Sequence, residues 1–509
     1  MEHLLELLPD YLTGHLQLTL LALLAATLIS IPLGIAASRA ARVQSIVLGF
    51  AGVVQTIPSL ALLAAMVPLL AMLNLPSIGF LPAIIGLTLY GLLPILRNTV
   101  TGLQEVDPAY KEAARGVGMT TWQQLRLVDL PLAMPVIVGG VRTATVWTVG
   151  IATLSTPVGA TSLGNYIFGG LQTRDFASVL LGSVAAACLA LVLDGLVSSL
   201  EKSIRTGNRR RRWATLAMMA ALYIFAIGSL VLPWIRGGER PITLAAKPFT
   251  EQYILAGILA EQIHTETGLA TDTLESIGST VAYEALLDGS IDVYVDYSGT
   301  LWLGLLKRKD APRSREEALE AIEAYLATKT NAVYVGAIGF QNNYALAMRS
   351  KEAKRLGVKT ISDLVPYAPQ LKLGGDLEFF SRAEWPSLKE TYGIRFAQTR
   401  PMDPSLMYQA VAHGGVDLIT AYTTDGRISA LDLTVLTDDR HAIPPYDAII
   451  LASARVAREH PEVLRALRPL IGAIDADEMR AMNFEVDEGQ KQPRAVAAAF
   501  RKNSLPPTP

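Results

Sequence analysis

The distribution of apolar and polar positions divides the chain into two halves of different character. Residues 1–235 consist of long uncharged runs that are separated by short polar segments, whereas residues 236–509 alternate short apolar runs with amphipathic stretches. An uncharged run of about 20 residues is long enough to cross a bilayer as a helix. The first half therefore predicts an all-α membrane region, and the second half predicts a domain outside the bilayer.

Six membrane spans are predicted in the first half. Acidic residues precede the first run, and Arg39 and Arg42 follow it, so the positive-inside bias places the N-terminus outside the cell. Pro58 lies within the second run, where it is expected to kink or break the helix. Such a break is compatible with a helix that lines a pathway and with a packing kink between helices. The spans are expected at 16–37, 45–73, 79–96, 135–156, 176–198 and 214–235.

Two charged features of this half have alternative interpretations. Asp194 lies near the cytoplasmic end of the fifth span, where it is expected to be paired or to reach toward the interface. The basic cluster at 209–212 indicates either a topology determinant beside anionic lipid or a sensor of ionic strength.

A polar segment at 107–131 interrupts the apolar frame and is predicted to be cytoplasmic. Asp107 and Pro108 are a good cap and first-turn pair for a short helix. Alanines and glycines at 113, 114, 116 and 118 give that helix small side chains, so the groove of a partner could close around it.

The spacing of the segment carries a family resemblance. It reads Glu112-Ala113-Ala114, three residues, Gly118, nine residues, and Val128-Asp129-Leu130-Pro131. This spacing resembles the EAA loop of ABC-importer permeases, with Val128 in the place of isoleucine. The resemblance implies a type I ABC importer transmembrane domain whose coupling residues are Glu112, Ala113, Ala114 and Gly118. It also implies a separate ATPase subunit as partner and a homodimer of permease halves.

The second half alternates strand-like and helical patterns. Strands are predicted at 241–245, 274–277 and 291–295, and helices are predicted from a Thr250 cap and over 280–287. This alternation indicates an α/β domain with helices on both sides of a sheet. About 270 residues suffice for two lobes with a ligand cleft between them, so the chain is predicted to be a multi-domain membrane protein.

The motifs of the second half resemble those of the quaternary-amine binding proteins of the ProX/OpuC type. The opening KPFTEQ at 247–252 is followed in family order by motifs at 296–300, 343–346, 375–379, 421–427, 437–439 and 444–446. A chain that carries both resemblances is similar to the fused permease–binding-protein importers for betaine-like solutes, among them importers of glycine betaine, choline, carnitine and ergothioneine. The domains are expected at 1–205 (permease), 206–239 (basic linker and tethering span) and 240–509 (two-lobed periplasmic-binding-protein-like domain).

The resemblance implies a set of ligand-binding residues. A trimethylammonium group is held by the faces of aromatic rings through cation–π attraction of about 0.5–2 kcal/mol per ring. The expected cage tyrosines are Tyr297, Tyr344, Tyr422 and Tyr446, and the expected polar contacts are Gln252 and Thr300.

Glu378 and Arg382 are four residues apart, which on a helix places them on one face. They form either an ordinary salt bridge, or a site in which Arg382 takes a ligand carboxylate and Glu378 takes a ligand N–H. The second alternative favours an amino-acid-like betaine such as ergothioneine.

Composition restricts the remaining function classes. The chain is 51% hydrophobic and 18% charged, and its net charge of −2 implies no nucleic-acid partner. The single cysteine, Cys188, allows no disulfide within the chain, and no metal site is indicated among the six histidines. No phosphate-binding G-x-x-x-x-G-K-[ST] motif occurs, so the chain is predicted not to be an enzyme, with ATP bound by the partner and no cofactor on this chain.

The predicted protein is therefore a multi-pass subunit of the inner cell membrane with an extracytoplasmic binding domain. Two alternatives remain open from the sequence. One is an importer of a polar amino acid, and the other is a membrane-tethered ligand receptor.

Overall fold

The computed structural model describes residues 2–73, 75–173, 175–235, 240–308, 312 and 314–504, and for residues 2–4, 233–235, 280, 378, 404 and 405 it describes the backbone only. The chain forms two compact units, of which the first holds residues 1–170 and 176–239 and the second holds residues 240–509 together with the short segment 171–175. The first unit is helical and the second is an α/β unit.

The described part of the first unit contains ten α-helices. They are α1 (Glu2–Arg39), α2 (Ala41–Thr56), α3 (Ser59–Met72), α4 (Phe80–Gln104), α5 (Pro108–Gly116), α6 (Thr121–Gln124), α7 (Leu130–Ala152), α8 (Gly164–Gln172), α9 (Phe176–Arg205) and α10 (Arg209–Ile235). A π-helical segment at Leu125–Asp129 joins α6 to α7, and a 3₁₀ segment at Thr153–Val158 follows α7.

Five described stretches are long and apolar enough to cross a membrane, and they lie in α1, α4, the α6–α7 continuation, α9 and α10. The helices α2 and α3 meet at a break with a bend of 102°. If this bent pair is one span, the described residues hold the six spans that the sequence predicts.

The break predicted at Pro58 is confirmed, since α2 ends at Thr56 and α3 begins at Ser59. Two contacts with Tyr90 of α4 lie at this break. The Tyr90 hydroxyl donates to the carbonyl of Ile57, and the Gln55 amide donates to the Tyr90 carbonyl at 3.3 Å. These two hydrogen bonds connect the break to α4, and the first of them gives the Ile57 carbonyl a partner at the bend.

The short helix predicted after Asp107 is also confirmed. The Asp107 carboxylate accepts from the Ala109 N–H at 2.8 Å, and Pro108 occupies the first turn of α5. Gly118 follows the helix with φ of +77°, a left-handed conformation that closes helices and favours glycine. Both ends of α5 therefore lie where the local sequence favours them.

An ion pair links α7 and α9 of the membrane unit. The Arg142 guanidinium donates to both Asp194 oxygens, at 2.6 and 2.9 Å. The expectation that Asp194 is paired is confirmed, and the partner lies 52 residues away, where no local pattern indicates it.

The second unit contains ten strands and fourteen α-helices among its described residues. The strands are β1 (Ile242–Ala245), β2 (Thr271–Leu274), β3 (Val293–Tyr297), β4 (Val333–Gln341), β5 (Tyr344–Arg349), β6 (Lys372–Gly375), β7 (Gln398–Pro401), β8 (Leu418–Tyr422), β9 (Leu433–Leu436) and β10 (Asp447–Ala452). The helices are α11 (Thr250–Thr267), α12 (Ser279–Leu287), α13 (Ser298–Gly304), α14 (Arg315–Lys329), α15 (Ser350–Leu356), α16 (Ile361–Leu364), α17 (Leu377–Ser381), α18 (Glu384–Tyr392), α19 (Pro404–Ala412), α20 (Arg427–Ala430), α21 (Ala454–Glu459), α22 (Pro461–Leu467), α23 (Ala476–Asp487) and α24 (Pro493–Ser504).

These strands form two five-stranded sheets, one in each lobe. The order of the first sheet is β2-β1-β3-β10-β4, and the order of the second is β7-β6-β8-β5-β9. In each sheet, one strand runs antiparallel between two neighbours: β10 in the first sheet and β5 in the second. The chain passes from the first sheet to the second through Asn342 and Asn343, and it returns through residues 437–446.

Three local predictions for this unit need correction. The second strand lies at Thr271–Leu274 rather than at 274–277, and the third lies at Val293–Tyr297, two residues later than predicted. Thr250 does not cap α11, because the cap position belongs to Phe249 and the Thr250 hydroxyl donates to Asp487 at 2.6 Å. The predicted strand at 241–245 and helix at 280–287 are confirmed within one residue.

Candidate functional site

The four predicted cage tyrosines come together from both lobes. Tyr344 begins β5 and lies directly opposite Tyr422, the last residue of β8, in the second sheet. Tyr297 ends β3 in the first sheet, and Tyr446 immediately precedes β10, the strand that pairs with β3. Strand pairing therefore places Tyr344 and Tyr422 side by side, whereas Tyr297 and Tyr446 lie at neighbouring ends of two paired strands.

One cleft of about 360 Å³ is lined by all four of these rings. Its other lining residues are Lys247, Phe249, Ser279, Thr300, Asn342 and Arg382. The ring centroids of Tyr344 and Tyr422 are 5.0 Å apart, and those of Tyr344 and Tyr446 are 5.7 Å apart in an edge-to-face arrangement. We call Tyr297, Tyr344, Tyr422 and Tyr446 the tyrosine cage.

Phe249 adds a fifth ring to the cleft. Its centroid lies 6.1 Å from that of Tyr297 and 6.2 Å from that of Tyr422, so it connects rings of the two lobes. Phe249 is part of the motif that carries the resemblance, but it is not among the residues predicted to bind the ligand. The available signal was its place between Lys247 and Gln252 in that motif.

Lys247 is a second lining residue that the sequence analysis missed. Its side chain is 3% exposed and donates to Asp296, which is 2% exposed and also accepts from the Tyr294 hydroxyl at 2.7 Å. The Lys247 ammonium lies 5.2 Å from the centre of the Tyr297 ring. The cleft thus contains a buried cation that is fixed beside a cage ring.

The predicted polar contacts take different places. Thr300 and Arg382 line the cleft. Gln252 is not among the described lining residues, and its side-chain N–H donates to the Tyr297 hydroxyl at 3.0 Å. Gln252 therefore contacts the hydroxyl of a cage tyrosine rather than the cleft itself.

Arg382 does not lie on one helix with Glu378, because α17 ends at Ser381. The Arg382 guanidinium lies 3.7 Å from the carboxylate of Glu384. The Glu378 side chain lies outside the described residues, so both its suggested salt bridge with Arg382 and its suggested N–H contact stay predictions.

Glu251 lies buried behind the cage and joins several elements. Its carboxylate accepts from the Tyr297 hydroxyl at 2.5 Å, from the Asn342 amide at 3.0 Å, from the Asn483 amide at 3.2 Å and from the Thr424 hydroxyl. Burial raises the pKa of the Glu251 carboxyl, and these hydrogen bonds act in the opposite direction. Burial, followed by the charge of Glu251, raises the pKa of the Tyr297 phenol well above its ordinary value.

Tyr446 has a similar arrangement. Its hydroxyl donates to the buried Glu384 carboxylate. Burial, followed by the charge of Glu384, raises the pKa of the Tyr446 phenol well above its ordinary value. Both phenols therefore stay protonated and remain hydrogen-bond donors at neutral pH.

The ring of Tyr446 lies directly on a glycine. A Cβ atom added at Gly299 would lie 2.6–2.7 Å from three carbons of that ring. Gly299→Ala is therefore expected to displace the ring and destabilise the second unit by about 1–3 kcal/mol. Gly304→Ala in the same helix is the matched control, because a Cβ there meets nothing within 4 Å. Thermal unfolding of the full chain measures both, and equal melting temperatures would contradict the close contact.

The predicted coupling residues lie in α5 and directly after it. Glu112, Ala113 and Gly118 are exposed, whereas Ala114 is 4% exposed. The helix α5 thus presents a small side chain outward at 113 and uses Ala114 to pack on its own unit.

Both halves of the chain match known protein families. Residues 28–206 match the family described as the binding-protein-dependent transport system inner membrane component. Residues 240–503 match the family described as the substrate binding domain of an ABC-type glycine betaine transport system. The two matches define the class: this chain is a transporter subunit that fuses a permease with a substrate-binding domain, and ATP hydrolysis belongs to a separate ATPase.

Relatives support the same class. The ergothioneine transport permease/ergothioneine binding protein EgtU of Helicobacter pylori (strain G27) is 30% identical over 482 residues, covering 92% of this chain and 85% of the relative. The permease OpuCB of the Bacillus subtilis (strain 168) glycine betaine/carnitine/choline system is 41% identical and covers 38% of this chain and 87% of the relative. The carnitine transport binding protein OpuCC of Listeria monocytogenes serotype 1/2a (strain 10403S) is 31% identical, covering 57% and 96%. The chain belongs to the ABC-type glycine betaine transport family.

Proposed function

We propose that the chain imports a small zwitterion that carries both a quaternary ammonium group and a carboxylate. The observation that carries this proposal is that the tyrosine cage and two cationic side chains, Lys247 and Arg382, line the same cleft. Aromatic faces attract an alkylated cation that can donate no conventional N–H hydrogen bond. Lys247 and Arg382 supply donors for a carboxylate at the other end of the ligand.

The charge balance of the cleft favours a zwitterion over a simple cation. Lys247 is neutralised by Asp296, and Arg382 lies near Glu384, so the cationic side chains add little net charge to the site. Lys247 nevertheless has three donor hydrogens, and its bond to Asp296 uses one of them. A ligand without a carboxylate, such as choline, would leave these donors unused.

The relatives suggest which betaines to test first. One relative that matches both halves of this chain is named for ergothioneine, and separate permease and binding-protein relatives are named for glycine betaine, carnitine and choline. Ergothioneine, glycine betaine and carnitine all combine a quaternary ammonium group with a carboxylate, so each fits the proposed site class.

The proposed assembly follows from the same family membership. Two copies of the chain form the permease, each carries one extracytoplasmic binding unit, and the ATPase docks on α5 at Glu112, Ala113 and Gly118 on the cytoplasmic side. ATP is bound by that partner, and this chain holds no cofactor of its own.

Ligand titration of the full chain in nanodiscs tests the proposal. Calorimetry would compare glycine betaine, carnitine, ergothioneine, choline and a neutral amino acid. We expect a betaine to bind, and Tyr422→Ala to weaken its binding about tenfold, because a ring contributes about 0.5–2 kcal/mol and its removal opens the cage. Tyr367→Ala is the matched control, since Tyr367 is 37% exposed and lies in the same lobe.

Two results would contradict the proposal. Binding of only the neutral amino acid would assign the tyrosines a structural role and favour the alternative importer class. Betaine binding without any stimulation of ATP hydrolysis by the co-purified ATPase would favour a tethered receptor.

A further inference from the structure

Three cage hydroxyls point to buried carboxylates. The Tyr297 hydroxyl donates to Glu251 Oε1 at 2.5 Å, and the Tyr446 hydroxyl donates to Glu384 Oε1. The Tyr422 hydroxyl lies at a longer distance, 3.5 Å, from Asp376 Oδ2. The hydroxyls of three tyrosines that line the cleft therefore meet acidic groups that do not line it.

The two closer carboxylates are deeply buried. Glu251 is 2% exposed, and its described hydrogen-bond partners are all neutral side chains: Tyr297, Asn342, Thr424 and Asn483. Burying a carboxylate without a cation is costly, even when several neutral groups donate to it. The four groups that donate to Glu251 favour its charged form, against the effect of burial.

Glu384 is a second deeply buried carboxylate, and its ion pair with Arg382 is a long one. It is 1% exposed, and its Oε2 atom has no hydrogen-bond partner among the described residues. The nearest described cation contact is the Arg382 guanidinium, at 3.7 Å from Oε1, which is longer than a hydrogen bond. Among the described contacts, the Tyr446 hydroxyl is thus the group closest to the Glu384 carboxylate.

A carboxylate behind a phenol changes the face of the ring. When the hydroxyl donates to an anion, its oxygen becomes more electron-rich, and the negative face of the ring that attracts cations is strengthened. The low dielectric around buried groups enlarges this polarisation. A carboxylate inside the cleft would repel the carboxylate of a zwitterion. Carboxylates placed behind the rings make the potential at the rings more negative and avoid this repulsion.

We propose that Glu251 and Glu384 are positioning residues that set the preference of the cage for a cationic head group over a neutral group of the same shape, acting through the hydroxyls of Tyr297 and Tyr446. This inference rests on the proposed function, because it requires a ligand cation between the rings. It assigns to two residues outside the cleft lining the role of determining ligand charge selectivity.

Pairs of ligands that differ only in a nitrogen or carbon centre test the inference. Glycine betaine is compared with 3,3-dimethylbutanoate, and choline is compared with 3,3-dimethylbutan-1-ol, by calorimetry on the full chain in nanodiscs. The wild-type protein is expected to prefer the cationic member of a pair. Glu251→Gln and Glu384→Gln are each expected to reduce this preference about threefold to tenfold. Glu459→Gln, at a side chain that is 55% exposed, is the matched control.

A double-variant comparison shows whether the carboxylate acts through the phenol. Tyr297→Phe removes the hydroxyl and leaves the buried charge in place, so it is expected to reduce the preference as Glu251→Gln does. The combined variant is expected to lose no more preference than Tyr297→Phe alone. Tyr446→Phe and Glu384→Gln form the second such comparison.

The outcomes separate this inference from the proposed function. A wild-type protein that binds both members of each pair equally would overturn the proposed function and this inference together. A wild-type preference that survives in Glu251→Gln and Glu384→Gln would overturn this inference alone. Loss of affinity for both members in equal proportion would assign the glutamates a purely structural role and would also overturn it.

Discussion

Replacing Ala113 by tryptophan is expected to abolish ligand-stimulated ATP hydrolysis by the assembled importer while ligand binding is retained. Ala113 is exposed on α5, the helix that we propose as the docking element for the ATPase, and its small side chain allows a groove to close over the helix. A large indole at this point would hold the two proteins apart. The measurement is ATPase activity of the full complex in proteoliposomes, with and without betaine, beside a calorimetric titration.

Ala113→Ser is the size-matched control and is expected to keep stimulated hydrolysis. Ala114 cannot serve as a control, because it is buried and its enlargement would disturb the packing of the helix itself. Full stimulation in Ala113→Trp would show that α5 does not dock the ATPase. Loss of ligand binding in the same variant would show general damage rather than uncoupling.

Replacing Lys247 by methionine is expected to destabilise the second unit by about 3–5 kcal/mol, because it leaves a buried carboxylate without its cation. Lys247 is 3% exposed and Asp296 is 2% exposed, so water can replace little of the lost interaction. The measurement is hydrogen exchange of the amides in β1 and β3, which reports the opening free energy of this region within the full chain.

The double variant Lys247→Met/Asp296→Asn is expected to recover a large part of this loss, because it removes both charges together. Lys491→Met is the control at an exposed ion pair with Glu485, and a change within about 0.5 kcal/mol is expected there. A small effect of Lys247→Met, comparable with that of the control, would mean that Asp296 is stabilised by its other contacts.

Spacing along the chain predicted the elements whose causes are local. The cap at Asp107, the break at Pro58 and the helix of the EAA segment all follow from residues within one or two turns. The strands β2 and β3 begin at Thr271 and Val293 rather than at the predicted residues, because an apolar run does not mark where pairing with a neighbouring strand begins. Thr250 was misassigned because its hydroxyl partner, Asp487, is 237 residues away.

The same limit applies to the site. Family motifs placed the four tyrosines on one list, but only strand register shows that Tyr344 and Tyr422 are direct neighbours. The carboxylates behind the cage could not be predicted, because Glu251 lies 46 residues from Tyr297, and Glu384 lies 62 residues from Tyr446. Sequence patterns thus identify residues that line the cleft more readily than residues that contact the lining residues from outside it.

The two passages of the chain between the sheets each end at a cage tyrosine. One passage leads through Asn342 and Asn343 into Tyr344, and the other leads through residues 437–445 into Tyr446. The centroids of these two rings are 5.7 Å apart, so a head group that changes their separation also shifts the ends of both connecting segments. If the cage holds a head group as proposed, we expect the size of that group to change the angle between the lobes, so that a betaine with a bulkier nitrogen closes the domain differently even where its affinity is equal.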